Sequence, residues 1–254
     1  MHLIKKKDST EASSSIQITR ANIFTPHKQL VHAVFSPKDA KQPTSLFQKT
    51  ELETTISRCA KKLGFKKILL PAMSHSSKIE IFNSTEIYEI KADGLITQQP
   101  NIAIAITHSD CQCAVIMDPR KNLIAAVHAG WRGLFGGIYQ NTIEKCVALG
   151  SRPEDLLVYI SPSLGEEHSE FIHYETEIPK SYHLQKIAPC HFDLKEIAHQ
   201  QFVQLGIQET QIEISPICTF KSPSFYSYRR HRKKPNEPYG LNFTLVGIQS
   251  RLES

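Results

Sequence analysis

This sequence is short of the devices that most often announce a function. No apolar run approaches the ~20 residues needed to cross a bilayer. The N-terminal MHLIKKKDSTEASSSIQ carries lysines but no apolar stretch of the signal-peptide kind. That start reads as a frayed segment, 1–25, of a cytoplasmic protein, with one domain over 26–254. The six cysteines, at 59, 111, 113, 146, 190 and 218, form no C-x-x-C, and across a chain of this length they read as free thiols rather than staples. None of the twelve histidines forms an H-x-H pair, which argues against a multicopper oxidase. The zinc-deaminase signature H-x-E…P-C-x-x-C is missing, as are G-x-G-x-x-G and the P-loop. Charge imbalance is small, +5, and much of it sits in RRHRKK at 229–234. Such a run can attract nucleic acid or another anion, but PNEPYG follows at once and a solvated loop is the stronger reading.

What is present is an ordinary globular pattern, 40% hydrophobic and 22% charged. Strand-like segments fall at 29–35, 65–70, 78–82, 86–90, 101–107, 156–162 and 242–248. Leu52, Ile56, Cys59, Ala60 and Leu63 follow helical spacing up to Gly64. GLFGGIYQNTIEKCVALG predicts a helix of roughly 15 residues ending at Gly150. Asp193 and Glu196 open another helix with a capping-box pattern, and Gly206 closes it. Nothing marks a boundary or a repeat, so the expected fold class is α+β: a sandwich with mixed sheets and helices packed outside.

The most informative stretch is HSDCQCAVIMDPRKNLIAAVHAGWRG, 108–133. Two apolar runs flank the turn cluster DPRKN, predicting a buried hairpin. If the loop centres on Arg120, Met117 faces Leu123, and Cys111 falls within about one residue of facing His128. A thiol and an imidazole at that range point to a metal site or an activated nucleophile. The polar knot His108, Ser109, Asp110, Cys111 between buried strands is costly unless its members hydrogen-bond or bind something. After His128, the glycines at 130, 133, 136 and 137 allow either close helix–sheet packing or close approach of a ligand, and Arg132 offers a bidentate contact to an anion. His75, in a serine-rich loop, is a distant third partner. Should it join Cys111 and His128, the His₂Cys set suits zinc with a fourth position open.

The combination DC…P…HAGWRG, with an upstream histidine, ADGLIT at 92–97 and CT…FYSYRR at 218–230, resembles the YfiH-like family from about residue 30 onward. Its members were labelled polyphenol oxidases or laccase-domain proteins. They are now regarded as purine nucleoside phosphorylases with adenosine deaminase activity, some being linked to peptidoglycan precursor editing. The resemblance implies an α+β sandwich and a metal held by His75, Cys111 and His128. Zinc is the expected cofactor, with copper as a substitute. Departures are His108-Ser109 for Thr-Ala, Ser76 for glycine, Ser161-Pro162 for Gly-Pro, and Gly240-Leu241 for Gly-Arg; the stretch GEEHSEFIHYE also diverges.

The leading expectation is therefore a zinc-dependent enzyme acting on purine nucleosides and phosphate, a monomer or weak homodimer without membrane or nucleic-acid partners. Asp110 or His108 would move protons, and Arg132, the turn amides near Gly133, and Arg229 would hold phosphate. Two alternatives stand beside it. One is an amidase with Cys111 as nucleophile and His128 or His75 as base. The other is a metal-stabilised module binding a partner through 229–234.

Overall fold

The computed structural model describes residues 17–36, 49–234 and 236–250. In chain order the strands are β1 (Gln17–Thr19), β2 (Leu30–Ser36), β3 (Lys67–Leu69), β4 (Ile79–Ile81), β5 (Gly94–Thr97), β6 (Ile102–His108), β7 (Gln112–Asp118), β8 (Leu123–Ala129), β9 (Leu157–Ile160), β10 (Lys186–Ala188), β11 (His191–Phe192), β12 (Ile212–Ile214) and β13 (Asn242–Ile248). The helices are α1 (Lys49–Lys62), α2 (Trp131–Phe135), α3 (Ile138–Ala148), α4 (Tyr174–Glu177), α5 (Leu194–Gln204) and α6 (Tyr228–Lys233).

Two mixed sheets lie face to face. One runs β1-β2-β13-β6-β3, the other β12-β9-β7-β8-β5-β4, and β10–β11 forms a separate hairpin. Alternation along the strands divides the apolar residues among three layers. Val34, Ile104, Ile106 and Val246 from the first sheet meet Val115, Met117, Ile124 and Ala126 from the second between the sheets. The other face of the first sheet, with Ala33, Ala103, Ala105 and Leu245, is covered by Ile56, Cys59 and Ala60 of α1. The outer face of the second, with Ile116, Ala125 and Val127, is covered by Tyr139, Ile143 and Cys146 of α3 and Ile197 and Phe202 of α5. Strands β6, β7, β8 and β13 are buried along their whole length, as apolar runs sandwiched on both faces require. This is the expected α+β sandwich with helices outside.

Several local expectations need correction. Residues 86–90 form no strand: Ile87 and Tyr88 are half exposed, and the segment's β-like composition is not matched by a ladder to either sheet. The helix expected across 133–150 is two helices, because Gly137 adopts φ +80° and breaks the ladder between them. The hairpin register differs by one residue. Cys113 faces His128 and Met117 faces Ile124, because the carboxylate of Asp118 accepts hydrogen bonds from the amides of Arg120 (2.8 Å) and Lys121 (3.0 Å), leaving Pro119 to Asn122 as the loop. Of the segment expected to fray, 1–16 lie outside the described residues, while Gln17–Thr19 pairs antiparallel with β2.

Between the sheets lies one titratable ring with no catalytic neighbour. His32 packs edge-on against Phe24 (5.6 Å) and Tyr159 (4.9 Å), and its Nε2 is buried without a hydrogen-bond partner. Burial first, and the charge of Arg20 second, lower its pKa from 6.5 to about 3. The unfolded chain therefore takes up a proton below pH 6.5 that the folded chain refuses. Stability should fall as pH drops from 6.5 towards 3, and His32→Phe should flatten that fall. Urea midpoints at pH 7 and pH 4.5 measure both, and an unchanged acid limb in the variant would contradict the assignment.

Candidate metal centre and its cavity

The ends of two strands and one loop carry the three residues that the sequence singles out. Cys111 immediately precedes β7, His128 is the penultimate residue of β8, and His75 lies in the loop before β4. The one-residue change of register brings them onto one face. Cys113 pairs with His128, so Cys111, two residues earlier, lies on the same face of the pleat and diagonal to His128. One ligand atom each from His75, Cys111 and His128 lie within 4.8 Å of one another. The two imidazoles meet edge-on, 4.7 Å between centroids.

A fourth residue assembles this cluster. Asp93, fully buried at the start of β5, has its Oδ1 accept from the backbone amide of His75 (2.8 Å) and from Nδ1 of His128 (3.0 Å). Its Oδ2 accepts from the amides of Ser74 (3.2 Å) and Ser76 (2.8 Å) and from the Ser76 hydroxyl (2.6 Å). Three consecutive amides thus converge on one carboxylate, which holds His75 in the left-handed region at φ +58°. Because Nδ1–H of His128 is donated to Asp93, its Nε2 is left for the ligand side, the arrangement that supports metal-binding histidines. ADGLIT stands out in the sequence, but nothing in the spacing marks Asp93 as the residue beneath both histidines.

The electrostatics are those of a charged nest in an apolar wall. Burial pushes the Asp93 carboxyl up, yet hydrogen bonds from His128, Ser76 and Ser74 outweigh it and hold it well below the carboxylate range. Burial also opposes charge on Cys111, but hydrogen bonds to His128 and His75 bring the thiol down to about 7. His128 rises to about 9, burial notwithstanding, through Asp93 and Cys111. Backbone approach is equally tight: a Cβ at Gly130 would lie 2.8 Å from Cδ2 of His75 and 3.3 Å from Sγ of Cys111.

The remaining candidates divide. Asp110 lies beside the cluster, but its carboxylate accepts from Oγ1 of Thr219 (2.7 Å) and from the amide of Arg229 (2.7 Å), so it clamps three loops together. His108 is buried, its Nε2 3.0 Å from Oγ1 of Thr244 and its Nδ1 without a partner. Burial, then the charge of His128, lowers it to about 3, so the ring is neutral. Arg132 lies 3.9 Å over the Trp131 indole. Gly133 packs α2 against the His75 loop, 2.8 Å from the carbonyl oxygen of Ser76 to a built Cβ. Arg229 donates from Nη2 to the Glu170 carbonyl (3.0 Å) and lies 3.8 Å from its carboxylate. Arg230, in the run read as a solvated loop, is instead buried and donates to the carbonyls of Phe220 (2.7 Å), Ser222 (3.0 Å), Thr219 and Phe225. The basic run is in part an internal brace.

His75, Cys111, His128, Arg132, Arg229, His108 and Asp110 all line one cavity of about 1160 Å³, with Trp131, Phe171, Tyr228 and Tyr239 among the aromatic walls. Among the described residues, no helix is long and apolar enough to cross a membrane. The donor set itself, two imidazoles and a polarised thiol beside a carboxylate-braced histidine, fits a bound transition-metal ion.

Comparison with known proteins agrees with this architecture. Residues 48–249 match the family model described as multi-copper polyphenol oxidoreductase laccase. A purine nucleoside phosphorylase of Deinococcus radiodurans is 27% identical over 200 residues, 77% of this chain and 76% of that protein. Another, of Synechocystis sp., is 30% identical over 185 residues, 59% of this chain and 67% of that protein. The crystal structure of Bacillus licheniformis hypothetical protein YfiH superposes with a TM-score of 0.78 at 22% identity, covering 93% of this chain and 97% of that one. That of YlmD from Geobacillus stearothermophilus gives 0.78 at 21% identity, covering 95% and 98%. With the family model spanning most of its length and the fold shared with those structures, the chain belongs to this laccase-like family, the YfiH-like proteins.

Proposed function

We propose that the chain is a zinc-dependent purine nucleoside phosphorylase that also deaminates adenosine. The observation that carries the reading is a single soft-donor cluster, His75, Cys111 and His128, on the wall of a cavity that also presents Arg132 and Arg229. The family name implies several coppers, yet among the described residues there is one such cluster. The curated relatives are named purine nucleoside phosphorylases, and a cavity of about 1160 Å³ has room for a nucleoside with phosphate beside it.

Zinc bound by His75, Cys111 and His128 would supply Lewis acidity. The rest belongs to the chain's own groups. Asp93 fixes the ring of His128 and the backbone of His75, so the donors are in place before substrate arrives. Arg132, whose guanidinium lies over the Trp131 ring, and Arg229 both line the cavity and offer cationic contacts to phosphate; Gly133, packed on the Ser76 carbonyl, is not part of that wall. In phosphorolysis a phosphate oxygen bonds to the anomeric carbon of ribose while the bond to the purine nitrogen breaks, its electron pair leaving with the base. Cations already oriented on the phosphate lower that barrier by positioning. In deamination water adds to the purine carbon that bears the amino group, and ammonia leaves. Neither His108, whose buried ring resists protonation, nor Asp110, whose oxygens hold Thr219 and Arg229, is well placed to take up a proton.

A second reading rests on the thiol. With its pKa brought to about 7 between two histidines, Cys111 has the character of a nucleophile for an amidase. Activity that survives a strong chelator yet vanishes on alkylation would select it over the metal enzyme.

Three outcomes are expected. Purified protein given inosine and phosphate should yield hypoxanthine and ribose 1-phosphate, and adenosine alone should yield inosine; chromatograms showing neither conversion would overturn the reading. Cys111→Ala should lose bound zinc and turnover together, and Asp93→Asn should weaken zinc by about 10–100-fold, both read by metal analysis. Gly130→Ala should displace His75 or Cys111 and lower zinc affinity while the fold survives, as followed by circular dichroism.

A further inference from the structure

Two aromatic rings of the cavity have no part in holding metal or phosphate. Tyr228 opens α6 and is 51% exposed; Tyr239 lies in the segment leading to β13. Both line the cavity, with ring centroids 5.6 Å apart and planes at 71°. Neither ring is carried by a loose loop. The amide of Arg229, next to Tyr228, is tied to the Asp110 carboxylate at 2.7 Å, and Arg230 is buried among carbonyls. Behind Tyr239 lies the ring of His231, 5.4 Å away, whose Nδ1 donates to the Glu237 carbonyl at 2.7 Å. Through the bond from the amide of Arg229 to Asp110, the neighbour of Cys111, this wall adjoins the donor cluster, and both rings line the same cavity as His75, Cys111 and His128.

A rigid, half-exposed aromatic ring in a cavity offers a flat apolar surface at low entropic cost. Heterocyclic bases stack on such rings with about 1–3 kcal/mol each, with little regard to base identity. We infer that Tyr239, supported edge-on by Tyr228, is the platform on which the flat base of the substrate stacks beside the metal ligands, setting affinity for the base and leaving affinity for phosphate untouched. This rests on the proposed nucleoside chemistry, and it makes the site tolerant between purines.

The test measures binding and turnover separately. Calorimetric titration of the zinc-loaded protein with inosine, hypoxanthine and ribose 1-phosphate is compared across wild type, Tyr239→Leu and Tyr239→Phe, with KM for inosine and for phosphate. The expected result is that Tyr239→Leu weakens inosine and hypoxanthine by about 5–100-fold, leaves ribose 1-phosphate and the KM of phosphate unchanged, and that Tyr239→Phe restores wild-type values. Unchanged base affinity in Tyr239→Leu, or equal losses for hypoxanthine and ribose 1-phosphate, would overturn the platform while leaving nucleoside turnover intact. Tyrosine-dependent hypoxanthine binding without any turnover would instead remove the proposed activity and keep the platform. A wild-type protein that binds no purine defeats both. Tyr228→Leu serves as the second variant if Tyr239→Leu fails to fold, with a smaller loss of base affinity expected and no loss contradicting its supporting role.

Discussion

The carboxylate of Asp93 is the constraint on which the site depends. It takes hydrogen bonds from the His75 loop and from His128, and so joins a loop that precedes one edge strand to the end of the central hairpin. A buried carboxylate of this kind is costly unless each lone pair is satisfied; here backbone amides, a hydroxyl and an imidazole do that. The same bonds that make its burial tolerable fix the orientation of both histidines. Stability of the loop and geometry of the donor set are therefore one property.

The sandwich beneath makes this arrangement stiff. Cys111 and His128 stand at the open end of β7 and β8, whose remaining residues are fully buried between helices and the first sheet. Strand β6 brings His108 to the same end from the opposite sheet, where it meets Thr244 of β13. Part of the cavity wall comes from segments outside the sheets, Glu170 to His173 with Tyr228, Arg229 and Tyr239, and Asp110 and Arg230 brace the elements around Arg229 from within. The donor cluster is held largely at strand ends and much of the facing wall by braced segments between elements.

Much of this was legible in the residues. The long apolar runs at 102–108, 112–118, 123–129 and 242–248 are strands because they are buried on both faces, and that pattern is visible without coordinates. The proximity of Cys111 and His128 followed from the turn to within one residue, and the register that the Asp118 turn sets is the one that puts both on the same face. Short strands such as Gly94–Thr97 and Ile212–Ile214 left no such signal, since their pairing is decided by distant partners. Residues 86–90 misled for the converse reason: local composition suits a strand, but the segment forms no ladder and leaves Ile87 and Tyr88 exposed. Asp93 was hidden because its importance lies in which groups reach it: three amides from 17 to 19 residues before it and an imidazole 35 residues after it. Arg230 looked like solvated charge, since nothing in a basic run reveals that one guanidinium turns inward to gather carbonyls.

X-ray absorption at the zinc edge of the purified protein tests the central claim most directly. The account predicts about one zinc per chain with one sulfur near 2.3 Å, two nitrogens near 2.0–2.1 Å and a light atom in the remaining position. A zinc shell with no sulfur, or a protein that takes up no zinc when the three donors are intact, would contradict it.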